Sequence, residues 1–182
     1  MEPYEIVAQA VGIVAMLFNV LSYQQKSSKG VIVMQLFGGA LFTVSYFMLG
    51  AMVGSLLNLL AVLRAVVYSN KEKFRADHKG WIYLFALLFG LSFVLTFTVF
   101  GKPFTLGAAL LEFLPVFAML VVTIGFYVNK AAFIRKMALV SCPCWLIYNI
   151  FNLAVGAMIC DSISLVSAVV GIIRLDIKKV RS

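Results

Sequence analysis

Trp145, Tyr148, Asn149 and Asn152 stand at positions i, i+3, i+4 and i+7, which is the spacing of one helical face. An aromatic ring beside paired amides suits a polyol or a sugar, because the ring stacks on the apolar face of the sugar while the amides bind its hydroxyls. Amides that only join helices inside a membrane would give the same pattern. The face is therefore a candidate substrate-binding surface, with helix packing as the alternative.

Two further apolar stretches carry polar side chains at helical spacing. Ser55 and Asn58 lie in the first, and Asp161, Ser164 and Ser167 lie in the second. Serines in apolar helices are more often packing residues than ligands. Asn58 is therefore the strongest single candidate for contact with a solute, with Ser55 and Ser164 beside it.

Glu112 and Asp161 place carboxyl groups within or at the start of apolar runs. An ionisable group inside a membrane is a functional candidate, and here the function would be proton coupling. Both side chains could instead reach water at the outer surface.

Patterns typical of enzymes and metal sites are missing from the sequence, which has no zinc-ligand spacing, phosphate-binding loop or nucleophile motif. Cys142 and Cys144 are close together, but a soft metal would need further ligands that the flanking sequence lacks. We expect no enzymatic activity, no metal and no cofactor.

The composition predicts a membrane protein, since 63% of the residues are hydrophobic and 12% are charged, against about 25% charged in a soluble domain. A backbone in hydrocarbon must satisfy its own hydrogen bonds, and the apolar runs are too long for barrel strands, so they should be helices. We predict an all-α integral membrane protein with residues 1–182 as one domain in the lipid bilayer. The seven predicted transmembrane helices are residues 5–23, 31–49, 52–69, 81–100, 106–128, 133–155 and 159–175.

The basic residues orient these helices, because Lys and Arg are retained on the cytoplasmic side. With the N-terminus outside and the C-terminus in the cytoplasm, Lys102 is the one exception among fifteen. The cytoplasmic set is Lys26, Lys29, Arg64, Lys71, Lys73, Arg75, Lys79, Lys130, Arg135, Lys136, Arg174, Lys178, Lys179 and Arg181. The net charge of +8 is spread between apolar runs rather than along one stripe, so we expect no nucleic acid partner.

A weak internal repeat divides the chain. The third predicted helix ends LLAVLRAVVY and the last ends AVVGIIRLD, and Gly-Ala-Met recurs at Gly50 and Gly156. We predict two parallel three-helix bundles, residues 1–70 and 106–182, joined by a basic loop and linker helix at 71–105. Two such copies are related by an axis along the membrane normal, and a substrate site lies between them.

The segments SYQQKSSKG (22–30) and WLIYNIFNLAVGAMICDSISLVSAVVGIIRLD (145–176) resemble the YgjV-type bacterial inner-membrane proteins. The pattern of three, one and three helices resembles the SWEET and SemiSWEET transporters of the PQ-loop superfamily. The resemblance implies a multi-pass protein of the bacterial inner membrane. It also implies a substrate contact for Asn58, because SWEET-like transporters bind substrate through an Asn on the third helix of each unit, with Ser164 as an approximate counterpart.

The chain departs from that superfamily at residues 23–24, where Tyr-Gln replaces Pro-Gln. SWEET-like transporters bend at prolines in helices 1, 2, 5 and 6, whereas this sequence has prolines in predicted helices 5 and 6 only. Glycines, which also weaken a helix, stand at the matching positions of helices 1 and 2. The candidate hinges are Gly12, Gly38, Gly39, Pro115 and Pro143.

The leading hypothesis is a transporter of a small polar solute, such as a sugar or another metabolite, that rocks two three-helix bundles about a central site. The alternative is a receptor or scaffold of the same fold that transports nothing, because a fold does not fix a function. A central cavity lined by Asn58, Trp145 and Asn149 favours transport, and a closed apolar midplane favours the alternative. The sequence leaves the oligomeric state open.

Overall fold

The computed structural model describes residues 3–49, 52–151 and 155–177. All secondary-structure elements formed by these residues are helices. The helices are α1 (Pro3–Ser22), α2 (Ser28–Met48), α3 (Met52–Ser69), α4 (Gly80–Thr98), α5 (Leu106–Val128), α6 (Ala131–Phe151) and α7 (Val155–Gly171), and α7 continues into a π-helical segment, Ile172–Ile177.

Six of these helices are long and apolar enough to cross a membrane, which confirms a multi-pass helical protein. In the seventh helix, α3, the described apolar stretch is Gly54–Ser69. Large apolar side chains cover the outer surface: Leu87 is 69% exposed and Leu106 is 77% exposed. In a lipid bilayer such side chains meet acyl chains instead of water.

Local capping explains where several helices begin and end. The Ser27 hydroxyl accepts a hydrogen bond from the Gly30 N–H at 3.0 Å, so α2 begins at Ser28, three residues before the apolar run. Asn129 ends α5 in the left-handed conformation, with φ 57°, and donates its N–H to the Gly125 carbonyl. Only Asn129 and Lys130 therefore separate α5 from α6, which begins two residues earlier than the hydrophobic pattern predicts.

The helices form two groups. In the N-terminal group, α2 packs between α1 and α3, and in the C-terminal group, α6 packs between α5 and α7. Helix α4 lies against α3 and α5, and the groups meet through the pairs α1–α7, α2–α6 and α3–α5. Apart from the two pairs made by α4, the packed pairs stay the same when α1, α2 and α3 are exchanged with α5, α6 and α7. A rotation about the membrane normal that superposes the groups stays a prediction.

The candidate hinge glycines lie where helices of the N-terminal group approach closely. A Cβ atom added at Gly12 would lie 3.1 Å from the Ser45 Oγ, and one added at Gly38 would lie 3.1 Å from the Ala15 carbonyl oxygen. One added at Gly39 would meet a Val62 methyl at 3.3 Å. These contacts give the glycines a packing function, and a hinge function stays a prediction.

The two candidate hinge prolines, Pro115 and Pro143, lie inside helices. Helix α5 continues through Pro115, which is buried, and α6 continues through Pro143, which is partly buried. Each proline removes one backbone donor from its helix. Bending at these two positions also stays a prediction.

The basic side chains gather at one end of the helix bundle, which we call the basic end. It comprises residues 23–27, 70–79, 129–130 and 172–177, together with the first turns of α2 and α6. Among the described residues, Lys102 lies between α4 and α5 at the opposite end. Arg64 lies within α3. The side of the membrane that the basic end faces stays a prediction from the charge distribution.

Candidate solute-binding cavity

A cavity of about 130 Å³ lies between the two helix groups. Every helix of both groups contributes to its wall, whereas α4 does not. The lining residues are Asn19, Tyr23, Gln35, Gly39, Phe42, Tyr46, Asn58, Ala61, Arg64, Ala65, Met119, Val122, Phe126, Ser141, Cys142, Trp145, Asn149, Ala157, Cys160, Asp161 and Ser164. The wall is therefore mixed, with amides, hydroxyls and aromatic rings beside apolar groups, as is typical of small-molecule sites.

Asn58 contributes to the cavity from α3, where it is partly buried. Its Nδ2 donates to the Gly54 carbonyl oxygen at 2.9 Å, one turn earlier in the same helix. This hydrogen bond does not join two helices. A packing function for Asn58, in which its amide would hold two helices together, has no support from this hydrogen bond.

Trp145 and Asn149 bring the predicted α6 face to the same cavity. Asn149 is buried, and its Nδ2 donates to the Asp161 Oδ2 at 2.7 Å, so it does join α6 to α7. Tyr148 does not line the cavity: its ring meets the Trp145 ring edge-on at 5.9 Å, and its hydroxyl bonds the Glu112 side chain. Asn152 lies outside the described residues. Of the three described residues of this face, two line the cavity.

The two candidate serines, Ser55 and Ser164, differ in position relative to the cavity. Ser164 is buried and lines the cavity. Ser55 lies outside the cavity wall, and its Oγ donates to the Thr43 carbonyl at 3.1 Å, which fastens α3 to α2. Ser55 therefore packs two helices, as is usual for serine in membrane helices.

The two candidate proton-coupling carboxylates also differ in position. Asp161 lines the cavity and accepts from Asn149. Glu112 does not: it is 4% exposed and forms an ion pair with the Lys102 Nζ at 2.5 Å. Proton coupling through either residue stays a prediction, and the position of Asp161 makes it the better placed of the two.

Arg64 is a cavity residue that the sequence reasoning missed as a ligand. It is 4% exposed and lines the wall from α3. Its Nη1 donates to the Met119 carbonyl oxygen at 2.9 Å and to the Thr123 Oγ1 at 3.2 Å, both on α5. The available signal was an arginine inside an apolar run. Arg174, which matches Arg64 in the sequence repeat, is exposed on the π-helical segment.

Hydrogen bonds join the two groups near the basic end. The Gln24 Nε2 donates to the Ser167 carbonyl oxygen at 2.7 Å, and the Ser167 Oγ donates to the Val20 carbonyl oxygen at 2.6 Å. The Arg135 Nη1 donates to the Gln25 carbonyl oxygen at 2.8 Å. Together with Arg64, these bonds hold the cavity wall together on the basic side.

Among the described residues, no group of three or more His, Cys, Asp or Glu side chains is placed to hold a metal ion. The described cysteines, Cys142, Cys144 and Cys160, are free thiols, and the two that line the cavity are Cys142 and Cys160. Within this part of the chain, the cavity offers a solute hydrogen bonding, aromatic contact, the buried Arg64 cation and the Asp161 carboxyl group.

A family model described as a bacterial inner membrane protein, Imp-YgjV, matches residues 6–179. The chain belongs to this family. The Imp-YgjV match and the six long apolar helices together give a multi-pass protein of the bacterial inner membrane. Searches of curated proteins and of solved structures found no match.

Proposed function

We propose that this Imp-YgjV protein transports a small polar solute by alternating access between two three-helix bundles of a SWEET-like arrangement. The observation that carries the proposal is the cavity between the helix groups, where Asn58 of one group stands in the same wall as Trp145 and Asn149 of the other. A solute held there contacts both groups, so its binding couples to their relative position.

The pattern of helix packing supports the same proposal. The contacts between α1 and α7, between α3 and α5, and between the two copies of the middle helix, α2 and α6, are those expected of two related bundles around a central axis. Transporters built from parallel repeats place the substrate between the repeats. A receptor or scaffold of the same fold is the alternative, and it needs no such polar cavity.

The test of the site uses Asn58→Leu, with Asn70→Leu as the matched control. Both amides donate to a carbonyl four residues earlier, Asn58 to Gly54 at 2.9 Å and Asn70 to Val66 at 3.0 Å, but Asn70 is exposed and directly follows α3. Purified protein is screened by thermal shift against monosaccharides, polyols and amino acids, and each solute that binds is then tested for uptake into liposomes.

Asn58→Leu should weaken binding of such a solute at least about tenfold, because it removes a hydrogen-bond partner and adds an apolar group. Its melting temperature should stay near that of the parent, because the lost bond lies within one helix. Asn70→Leu should change neither quantity. Unchanged affinity with a lowered melting temperature would remove Asn58 from the site and favour the scaffold.

A further inference from the structure

The charge of Arg64 has no acidic partner in the described structure. The ion pairs of the described residues are Lys71–Asp77, Lys102–Glu112 and Arg135–Asp176. Arg64 belongs to none of them, although it is 4% exposed and lies within α3. A buried cation without a counter-charge is costly, and in membrane proteins such residues mark binding sites and ion paths.

Neutral groups satisfy only some of the hydrogen-bond donors of the Arg64 side chain. The Nη1 donates to the Met119 carbonyl and the Thr123 hydroxyl, and the guanidinium carbon lies 4.9 Å from the centre of the Phe126 ring. The Nε is buried and has no hydrogen-bond partner among the described residues. Carboxylates and phosphates bind arginine through two parallel N–H groups, and Nε–H is one of the donors that such a pair uses.

The other charged residue of the cavity wall, Asp161, does not neutralise Arg64. Asp161 lies near the beginning of α7 and accepts from Asn149, whereas Arg64 lies near the end of α3, toward the basic end. The cavity is thus polarised along its length, with a carboxylate toward one end and a guanidinium toward the other.

We infer that the solute of this cavity carries an anionic group, a carboxylate or a phosphate, which binds the Arg64 guanidinium while Asn58 contacts its neutral polar part. This inference rests on the proposed transport function and narrows its substrate class. The Phe126 and Phe89 rings beside the guanidinium exclude water and strengthen the interaction with an anion.

The test compares matched neutral and acidic probes on the full-length protein. The pairs are glucose with glucuronate and sorbitol with gluconate, and inorganic phosphate is a separate probe. Affinity is measured by thermal shift and calorimetry for the parent, Arg64→Gln and Arg64→Lys. We expect the parent to bind the acid of at least one pair about ten- to a hundredfold more tightly than its neutral partner, since hydrogen bonds to charged groups have that strength.

Arg64→Gln should abolish this preference, and Arg64→Lys, which keeps the charge but not the paired donors, should retain part of it. Binding of phosphate alone, lost in Arg64→Gln, would place the anionic group on phosphate rather than on a carboxylate.

The comparison on the parent protein decides the inference even if Arg64→Gln fails to fold. Neutral probes that bind as well as their acids would overturn it and leave the transport proposal intact. An acid preference that persists in Arg64→Gln would also overturn it. Absence of binding by all five probes, with Asn58→Leu also without effect across the wider solute screen, would overturn the transport proposal and the inference together.

Discussion

Arg135→Met tests whether the basic end is held together as the structure indicates. The Arg135 side chain is 2% exposed, its Nε donates to the Asp176 Oδ2 at 2.9 Å, and its Nη2 pairs with the other carboxylate oxygen. Its Nη1 donates to the Gln25 carbonyl oxygen in the connection between α1 and α2. Methionine keeps most of the aliphatic stem and removes the charge and all the donors. The substitution therefore loses one ion pair within the C-terminal group and one tie between the groups.

The expected magnitude follows from the burial of the two partners. Removing one member of a buried pair costs about 3 to 5 kcal/mol, because the remaining charge is left without a partner. The Asp176 side chain is 16% exposed, so water can solvate part of its carboxylate and the cost falls toward the lower limit. We expect Arg135→Met to lower the free energy of unfolding by about 3 kcal/mol. Lys136→Met, at the exposed neighbouring position, should change it by less than about 0.5 kcal/mol.

The assay is unfolding of the purified protein by increasing SDS in mixed micelles, followed by tryptophan fluorescence. A double-mutant cycle with Asp176→Asn isolates the pair, and its coupling energy should be about 1 to 3 kcal/mol. A loss below about 1 kcal/mol for Arg135→Met, together with additive effects in the cycle, would refute the reasoning. The remaining loss in the free energy of unfolding would then be due to the hydrogen bond with Gln25 alone.

Two further predictions concern orientation and helix approach. A reporter fused after Ser182 should be active in the cytoplasm and a tag before Glu2 should be accessible from outside, because this orientation leaves only Lys102 of the fifteen basic residues outside. An external C-terminus would overturn the predicted orientation. Gly38→Ala should lower the free energy of unfolding by about 1 to 3 kcal/mol, because the added Cβ would lie 3.1 Å from a backbone oxygen. Gly90→Ala, whose Cβ would have no atom within 4 Å, should raise the free energy of unfolding slightly. Equal effects of the two substitutions in thermal or SDS unfolding would contradict the packing function of Gly38.

The sequence predicts the helices well because their main signal is local. Apolar runs and the need to satisfy the backbone in lipid mark each span without knowledge of its neighbours. The starts of α2 and α6 are less well predicted, because their first turns are polar and are fixed by capping at Ser27 and by the left-handed Asn129. Hydropathy does not register such caps.

The cavity is predicted in part. Helical spacing correctly places Trp145 and Asn149 on one face, but it also includes Tyr148, which turns toward Glu112 instead. One face of a helix can pack against two different helices, and sequence spacing does not show which residue contacts which helix. Arg64 was missed as a ligand because it lies near the end of α3, where a long cationic side chain could equally extend toward the membrane surface. Only tertiary packing shows that it points inward.

The ties between the helix groups near the basic end share a feature that bears on how this surface can evolve. Gln24 and Arg135 each donate to a main-chain oxygen, as do Arg64 toward Met119 and Lys71 toward Tyr127 at 3.0 Å. Every residue type presents a main-chain oxygen, so the accepting positions can exchange side chains without losing the bond. The donating residues, in contrast, need a side chain that can reach this oxygen and donate to it. A scan of all substitutions should therefore tolerate exchange at Gln25 better than at its donor Arg135. Met119, which is buried, and Ser167, which itself donates to Val20, are constrained by their own side chains.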